Sequence, residues 1–261
     1  MRCLILLTLA AAAARAQGSY EVQVYGSESV PRGKTMLEFH ANYTVRGSTA
    51  TDDGTRPTNH QFHGTWEVTR GWRDWFETGF YVFTSAGGGG GWEYAGSHIR
   101  PRVRAPDSWH LPVGLSLSAE FGYQRPLYSA DTWTLELRPI VDKQVGRAYL
   151  CFNPTLGRTF HGPSVAEGVV LSPNFKASYG VFKRVSFGLE YYGSLGRIPS
   201  FAPFRDQQQM FIPVMDIDFG EDWEFNFGAG VGATSGTDHL LLKMIAGRRF
   251  SFGRRARKPR G

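Results

Sequence analysis

Gly71-Trp-Arg-Asp-Trp-Phe-Glu-Thr-Gly79-Phe-Tyr-Val82 is one of three stretches in which a glycine is followed by another eight residues later. The others are Gly180-Val-Phe-Lys-Arg-Val-Ser-Phe-Gly188-Leu-Glu-Tyr191 and Gly220-Glu-Asp-Trp-Glu-Phe-Asn-Phe-Gly228-Ala-Gly-Val231. Laid in register, one parity reads Phe76, Thr78, Phe80, Val82; then Val185, Phe187, Leu189, Tyr191; then Phe225, Phe227, Ala229, Val231. Each first glycine is read as opening a tight polar turn. A period-two apolar face recurring after such a turn predicts β-hairpins repeated around one sheet.

The N-terminus predicts export. Met1-Arg2, an apolar run from Cys3 to Ala14 and the small-x-small Ala14-Arg15-Ala16 read as a cleavable secretory signal over residues 1–16. No cysteine sits just after the cleavage site, which argues against a lipoprotein anchor, and loss of Cys3 leaves Cys151 without a disulfide partner. About 245 residues follow the signal, with no linker-like change of composition to divide them. Nothing after Ala16 reaches the apolar length of a transmembrane helix, while 32 glycines and 19 phenylalanines favour strands. An exported chain of this kind can still enter a membrane as a closed barrel, because closure pairs every backbone group in lipid.

Alternation predicts twelve strands, at 34–46, 60–69, 75–84, 94–105, 112–124, 132–142, 148–158, 169–179, 185–194, 209–219, 223–233 and 238–252. An even number suits a single-chain antiparallel transmembrane β-barrel. The connections 70–74, 106–111, 143–147, 180–184 and 220–222 are short and read as periplasmic turns. Those at 47–59, 85–93, 125–131, 159–168, 195–208 and 234–237 read as external loops, including the glycine run Gly87 to Gly91. The organisation is therefore a signal over 1–16, a lead segment over 17–33, a barrel over 34–252 and a basic tail over 253–261. The lead fits an additional strand, a plug or a periplasmic lead.

Strand 112–124 sets Val113, Leu115, Leu117, Ala119, Phe121 and Tyr123 against Ser116, Ser118, Glu120, Gly122 and Gln124. The first strand does the same with Leu37, Phe39, Ala41, Tyr43 and Val45 against Glu38, His40, Asn42, Thr44 and Arg46. A soluble sandwich would alternate too, but a membrane barrel turns its polar face inward. The last strand favours the membrane. Leu240, Leu242, Met244 and Ala246 lead, past Arg248, to Phe250 and Phe252, the aromatic end by which barrel-assembly machinery would engage it. Aromatics also gather at strand ends, Trp72, Trp75, Trp109 and Trp223 by the short turns and Trp92, Tyr94, Tyr128 and Trp133 by the loops, as interfacial girdles.

The formal charge of +6 includes five basic residues between Arg254 and Arg260; without them it falls to about +1. The basic pI is thus a property of the tail and gives no reason to expect a nucleic-acid partner.

The segment Trp66 to Phe80, with its echoes at 180 and 220, resembles the outer-membrane barrel family named for the meta-pathway of phenol degradation. So do Tyr20-Glu-Val-Gln-Val-Tyr25 and Pro31-Arg-Gly-Lys34. The resemblance implies an outer-membrane channel or transporter, in some members tied to aromatic catabolism, and brings no catalytic motif.

Function is then sought in the lumen. His98, Arg100, Arg102 and Arg104 share one parity, and neighbouring strands offer Glu120, Glu136, Arg138 and Asp142. Opposed rows of this kind would make a constriction selecting small polar or anionic solutes; the same residues could close a narrow barrel as a salt-bridge network. An open or gated pore is the favoured reading. A second inward cluster sets Glu190, Asp216, Asp218 and Glu224 against Lys243 and Arg249. Asp216 and Asp218 have hard-oxygen chemistry, but carboxylates beside basic strands are more often ion-paired, so no metal or other cofactor is expected.

A lipid-modifying enzyme would need an activated nucleophile with a histidine base. His40, His60, His63, His98, His161 and His239 come with no Gly-x-Ser-x-Gly elbow, so an enzyme is not the expectation. A non-conducting barrel, structural or binding partners through loops such as 46–59 and 193–208, is the main alternative. The expectation is a porin-like channel in the bacterial outer membrane, its partners membrane lipid and small solutes. The resemblance implies aromatic or hydrophobic cargo, whereas the lumen charges point to polar or anionic cargo.

Overall fold

The computed structural model describes residues 20–51, 53–87 and 90–251. The predicted signal, the basic tail and Phe252 lie outside the described residues.

The chain forms β1 Lys34–Arg46, β2 Gln61–Arg73, β3 Phe76–Ala86, β4 Glu93–Arg104, β5 Gly114–Gln124, β6 Trp133–Val145 and β7 Ala148–His161. It continues with β8 Val169–Phe182, β9 Val185–Ser194, β10 Gly196–Arg197, β11 Gln208–Ile217, β12 Trp223–Gly232 and β13 Leu240–Ser251. Long strands that follow one another pair antiparallel, and β1 closes on β13. The two-residue β10 continues the run of β9 along β8, opposite Leu171 and Val170. The fold is thus the expected closed barrel of twelve long antiparallel strands, with one bridge that alternation did not announce.

Closure follows from period-two patterning, because successive side chains leave a strand on opposite faces. On β1, Glu38, His40, Asn42 and Thr44 are buried inside while Leu37, Phe39, Ala41 and Tyr43 face out. The exterior carries exposed Trp66, Phe80, Ile99, Phe121, Phe175, Phe187, Phe211 and Leu242 around the ring. Leaving so many half-exposed large side chains in water would forfeit roughly half of the about 1.5–3 kcal/mol that full burial of each supplies, so this is the surface of a barrel seated in lipid. Trp72, Trp75, Trp109 and Trp223 are exposed by the short turns, and Trp92, Tyr94 and Trp133 by the loops, as the girdles require. Tyr128 departs from its girdle and packs against the buried ring cluster of Tyr20, Tyr81 and Phe83. Arg248 stays on the outer face, its guanidinium 4.8 Å from the Trp223 ring centroid and 5.2 Å from that of Phe250.

Connections 74–75, 105–113, 146–147, 183–184 and 218–222 share one end of the barrel, and 47–60, 87–92, 125–132, 162–168, 195–207 and 233–239 the other. The glycine repeat therefore needs correcting. Gly71 and Gly180 do not open turns: they lie within β2 and β8, each beside a register shift. Only Gly220 sits in a turn, at φ 103°, which L side chains rarely adopt. Gly71 has a different reason to be small, since a Cβ there would lie 2.1 Å from the Val30 carbonyl oxygen and 2.4 Å from that of Pro31.

That contact exposes the main departure from an open bore. Residues 20–30 lie inside the barrel, with Tyr20, Glu21, Val22, Gln23, Val24, Tyr25, Ser27 and Val30 buried, and residues 31–33 are exposed. They leave the lumen at the short-turn end, where Gly33 N–H donates to Gly71 O at 2.8 Å.

Candidate functional site

The lumen segment has no strand ladder of its own, so its backbone groups are satisfied by wall side chains. Tyr20 O accepts from Thr65 Oγ1 at 2.8 Å, and Tyr25 N–H donates to Asn153 Oδ1 at 2.8 Å. Tyr25 O accepts from Asn153 Nδ2 and Cys151 Sγ, each at 3.0 Å. Val30 N–H donates to Glu77 Oε2 at 2.5 Å. Arg102 donates to Gly26 O at 3.1 Å and also to Glu28 O. Val22 and Val24 pack on an apolar stripe of the inner wall that includes Ile140, Met210, Ile212, Val214 and Leu241.

Tyr25 is the centre of the arrangement. Its ring centroid lies 4.7 Å from the guanidinium carbon of Arg100 and 4.6 Å from that of Arg138, within cation–π range of both. Its hydroxyl donates to Glu21 Oε1 at 3.0 Å and lies 3.4 Å from Tyr81 Oη. Among the described residues, Nε and Nη1 of Arg100 and Nε and Nη1 of Arg138 have no hydrogen-bond acceptor. The lumen thus grips an aromatic ring between two cations that retain donors.

The arginine row faces inward, but its partners are not the predicted ones. Arg100 Nη2 reaches Glu67 Oε1 at 2.7 Å and Glu77 Oε1 at 3.4 Å, and Arg102 Nε lies 2.8 Å from Glu77 Oε1. The reason is the register. Arg102 stands opposite Glu77, while Arg100 stands opposite Gly79, which has no side chain to stop the guanidinium crossing β3 to reach β2. Arg104 is at the rim with exposed Asp107. Glu120 is buried and bonded to His98 Nδ1 at 2.5 Å, and Glu136 pairs with Arg138. Asp142 holds Ser27 of the segment and also accepts from Tyr149 Oη at 2.8 Å.

The second cluster is brought together only in part. Glu190 binds Lys243 at 2.6 Å and Lys176 at 3.2 Å, and Lys176 binds Asp216 at 2.8 Å. Glu224 instead accepts from Gln23 Nε2 of the segment at 3.2 Å. Asp218 is exposed in the turn after β11, where its Oδ1 accepts the Gly220 N–H at 2.6 Å. Arg249 lies at the rim and donates to Glu221 O at 2.6 Å. Neither belongs to the inward cluster, because β11 ends at Ile217 and Arg249 lies near the end of β13.

Sequence reasoning missed Glu67 and Glu77, both fully buried, and Lys176 as the centre of the second network. Their inward parity within the predicted strands was the available signal. It also missed the juxtaposition of Glu38, His40 and Glu67, whose donor atoms lie within 4.8 Å of one another. On the segment, burial and the neighbouring Glu120 carboxyl push the Glu21 carboxyl well above the usual range. Burial also lifts the Tyr20 and Tyr25 hydroxyls.

No protein-family model matches the chain, and no curated protein matches it. Among solved structures, the NanC porin is similar at TM-score 0.54 and 7% identity, with 84% of this chain and 100% of that chain covered. The KdgM porin in complex with disordered oligogalacturonate gives 0.49 at 8% identity, over 84% of this chain and 99% of that one. Omp33 of Acinetobacter baumannii gives 0.44 at 12% identity, over 87% and 100%. What the NanC likeness shows is the fold, a closed antiparallel barrel of the porin kind.

Proposed function

We propose that the chain is an outer-membrane channel for small aromatic solutes bearing hydroxyl or carboxylate groups, held shut at rest by residues 20–33. The observation that carries this reading is the Tyr25 ring between Arg100 and Arg138, 4.7 and 4.6 Å from their guanidinium carbons. A phenol or aromatic acid presents the same face to the two cations, and its oxygen atoms can accept from donors that Tyr25 leaves idle. The apolar stripe under Val22 and Val24 supplies the rest of an amphipathic path. Aromatic cargo is what the resemblance at residues 66–80 implies, and anionic cargo is what the charged row favours; an aromatic anion meets both.

The test is planar-bilayer conductance of the folded protein and its Tyr25→Ala variant, with 4-hydroxybenzoate added as a blocker. The expected result is brief, rare openings in the parent, frequent ones in the variant, and saturable block by the solute in the variant. An inserted Tyr25→Ala barrel without conductance steps would overturn the reading. It would favour the second one, a permanently filled, non-conducting barrel, to which the burial of Val22 and Val24 against Ile212 and Leu241 also lends weight.

A further inference from the structure

Glu38 and His40 leave β1 on the same inward face, and Glu67 stands directly opposite Glu38 on β2. His40 and Glu67 are fully buried and Glu38 is nearly so. The chemistry-bearing atoms, two carboxylate oxygens and one imidazole nitrogen, all lie within 4.8 Å of one another.

Two further observations separate this group from an ordinary buried ion-pair network. First, His40 Nδ1 has no hydrogen-bond partner among the described residues, and Nε2 meets only Glu67 Oε2, from a distance. Buried polar atoms are usually paired, although His63 on the same inner wall also leaves both ring nitrogens without partners among the described residues, so the spacing carries the distinction. Glu67 Oε1 is fully used by Arg100 at 2.7 Å and Thr69 Oγ1 at 2.6 Å, which fixes Oε2 toward His40. Second, His40 Nε2 and Glu67 Oε2 are 3.4 Å apart, long for a hydrogen bond. Two donors at about 2.0–2.1 Å from one tetrahedral cation stand roughly 3.3–3.4 Å apart, the edge of the tetrahedron. A second histidine-carboxylate group among the described residues, Glu21, His98 and Glu120, also has orphaned atoms but differs in its spacing. There His98 Nδ1 and Glu120 Oε1 close to 2.5 Å, a hydrogen bond with no room for a shared ion.

Charge permits the same reading. Arg100 compensates Glu67 from its far side, and Glu38 adds a second carboxyl, with Glu224 beyond it across Gly247. Buried carboxyls without a matching cation either hold a proton or take up a cation in its place.

We infer that Glu38, His40 and Glu67 form a site for a divalent transition cation of the Zn²⁺ class, tying β1 to β2 inside the barrel. One imidazole and two carboxylates with a fourth position left to water make a borderline donor set that suits Zn²⁺ better than Ca²⁺ or Mg²⁺. The inference does not depend on whether the barrel conducts.

The experiment folds the chain from Gln17 onward into detergent micelles with Zn²⁺ or Co²⁺, removes loose metal by dialysis, and measures retained metal and its X-ray absorption. The expected result is about one retained equivalent, with a shell of one imidazole nitrogen and oxygens at roughly 2.0–2.1 Å. His40→Gln is expected to lower affinity at least about tenfold, while His63→Gln, also inward on β2, leaves it unchanged. Retention no better than that of an unfolded sample, or equal affinity in His40→Gln, would overturn the assignment. If His40→Gln fails to fold, the parent spectrum decides alone: a sulfur neighbour or more than one imidazole places the metal elsewhere and defeats the inference.

Discussion

Asp142 holds Ser27 with both carboxylate oxygens, Oδ2 accepting the backbone N–H at 2.8 Å and Oδ1 the hydroxyl at 2.7 Å. One residue belongs to the wall and the other to the segment that fills it, so this pair is a latch. Hydrogen bonds to a charged group are worth about 1.5–3 kcal/mol each. Asp142→Ala is therefore expected to raise the open fraction in bilayer recordings by roughly tenfold or more, with the barrel still folded by circular dichroism. An unchanged open fraction would mean that Ser27 is not what retains the segment.

Gly71→Ala attacks the same segment sterically. The new methyl would meet two carbonyl oxygens, those of Val30 and Pro31, and backbone cannot give way as a flexible side chain can. Faster proteolysis near residues 28–33 is expected, alongside an overpacking loss of about 1–3 kcal/mol in urea unfolding. Proteolysis at the parent's rate would show that the chain absorbs the methyl without moving.

Glu21 sits on the segment rather than on a spanning strand, and it faces Glu120, His98, Arg138 and the Tyr25 hydroxyl. Its carboxyl is raised in the docked state, first by burial and then by Glu120. The docked form therefore keeps a proton that the released form gives up as pH rises past the ordinary glutamate range. Docking is strongest below that range and weakens as pH climbs toward the raised value. Open probability should increase with pH in the parent and flatten in Glu21→Gln. A parent with no pH dependence would contradict a docked Glu21 that keeps its proton.

The arginine row is not uniform. Arg100→Ser strands Glu67 inside the barrel and is expected to cost about 3–5 kcal/mol, the range for breaking a buried pair. Arg104→Ser, at the rim beside exposed Asp107, should change stability by less than about 0.5 kcal/mol. Urea titrations compare the two directly. In a conducting background such as Tyr25→Ala, serine at Arg100, Arg102 and Arg104 together should move the reversal potential toward cation selectivity; an unmoved potential would remove the row from the conduction path.

The wall of the barrel was legible because lipid and lumen demand opposite side chains at successive positions. β1 and β9 begin and end where alternation places them, at Lys34–Arg46 and Val185–Ser194. The site was legible only one strand at a time. Parity puts Arg100 and Glu67 inside, but their meeting depends on Gly79 offering no side chain between them, a fact of register across three strands. The lumen segment was left open between a strand, a plug and a periplasmic lead for a different reason. Tyr20-Glu-Val-Gln-Val-Tyr25 alternates like a strand, yet its apolar Val22 and Val24 face protein instead of lipid. Patterning reports that a face is apolar without reporting what covers it.

Cys151 lies beneath all of this, its Sγ donating to the Tyr25 carbonyl from the inner wall of β7. That sulfur is buried while Tyr25 is docked, so a membrane-impermeant thiol reagent in the aqueous phase is expected to reach it once Tyr25 has left. The chain thus carries its own reporter for the lumen: the rate at which Cys151 is alkylated follows the released fraction of the segment when redocking outruns labelling and the rate of release when labelling outruns redocking, with no engineered label and no electrical recording.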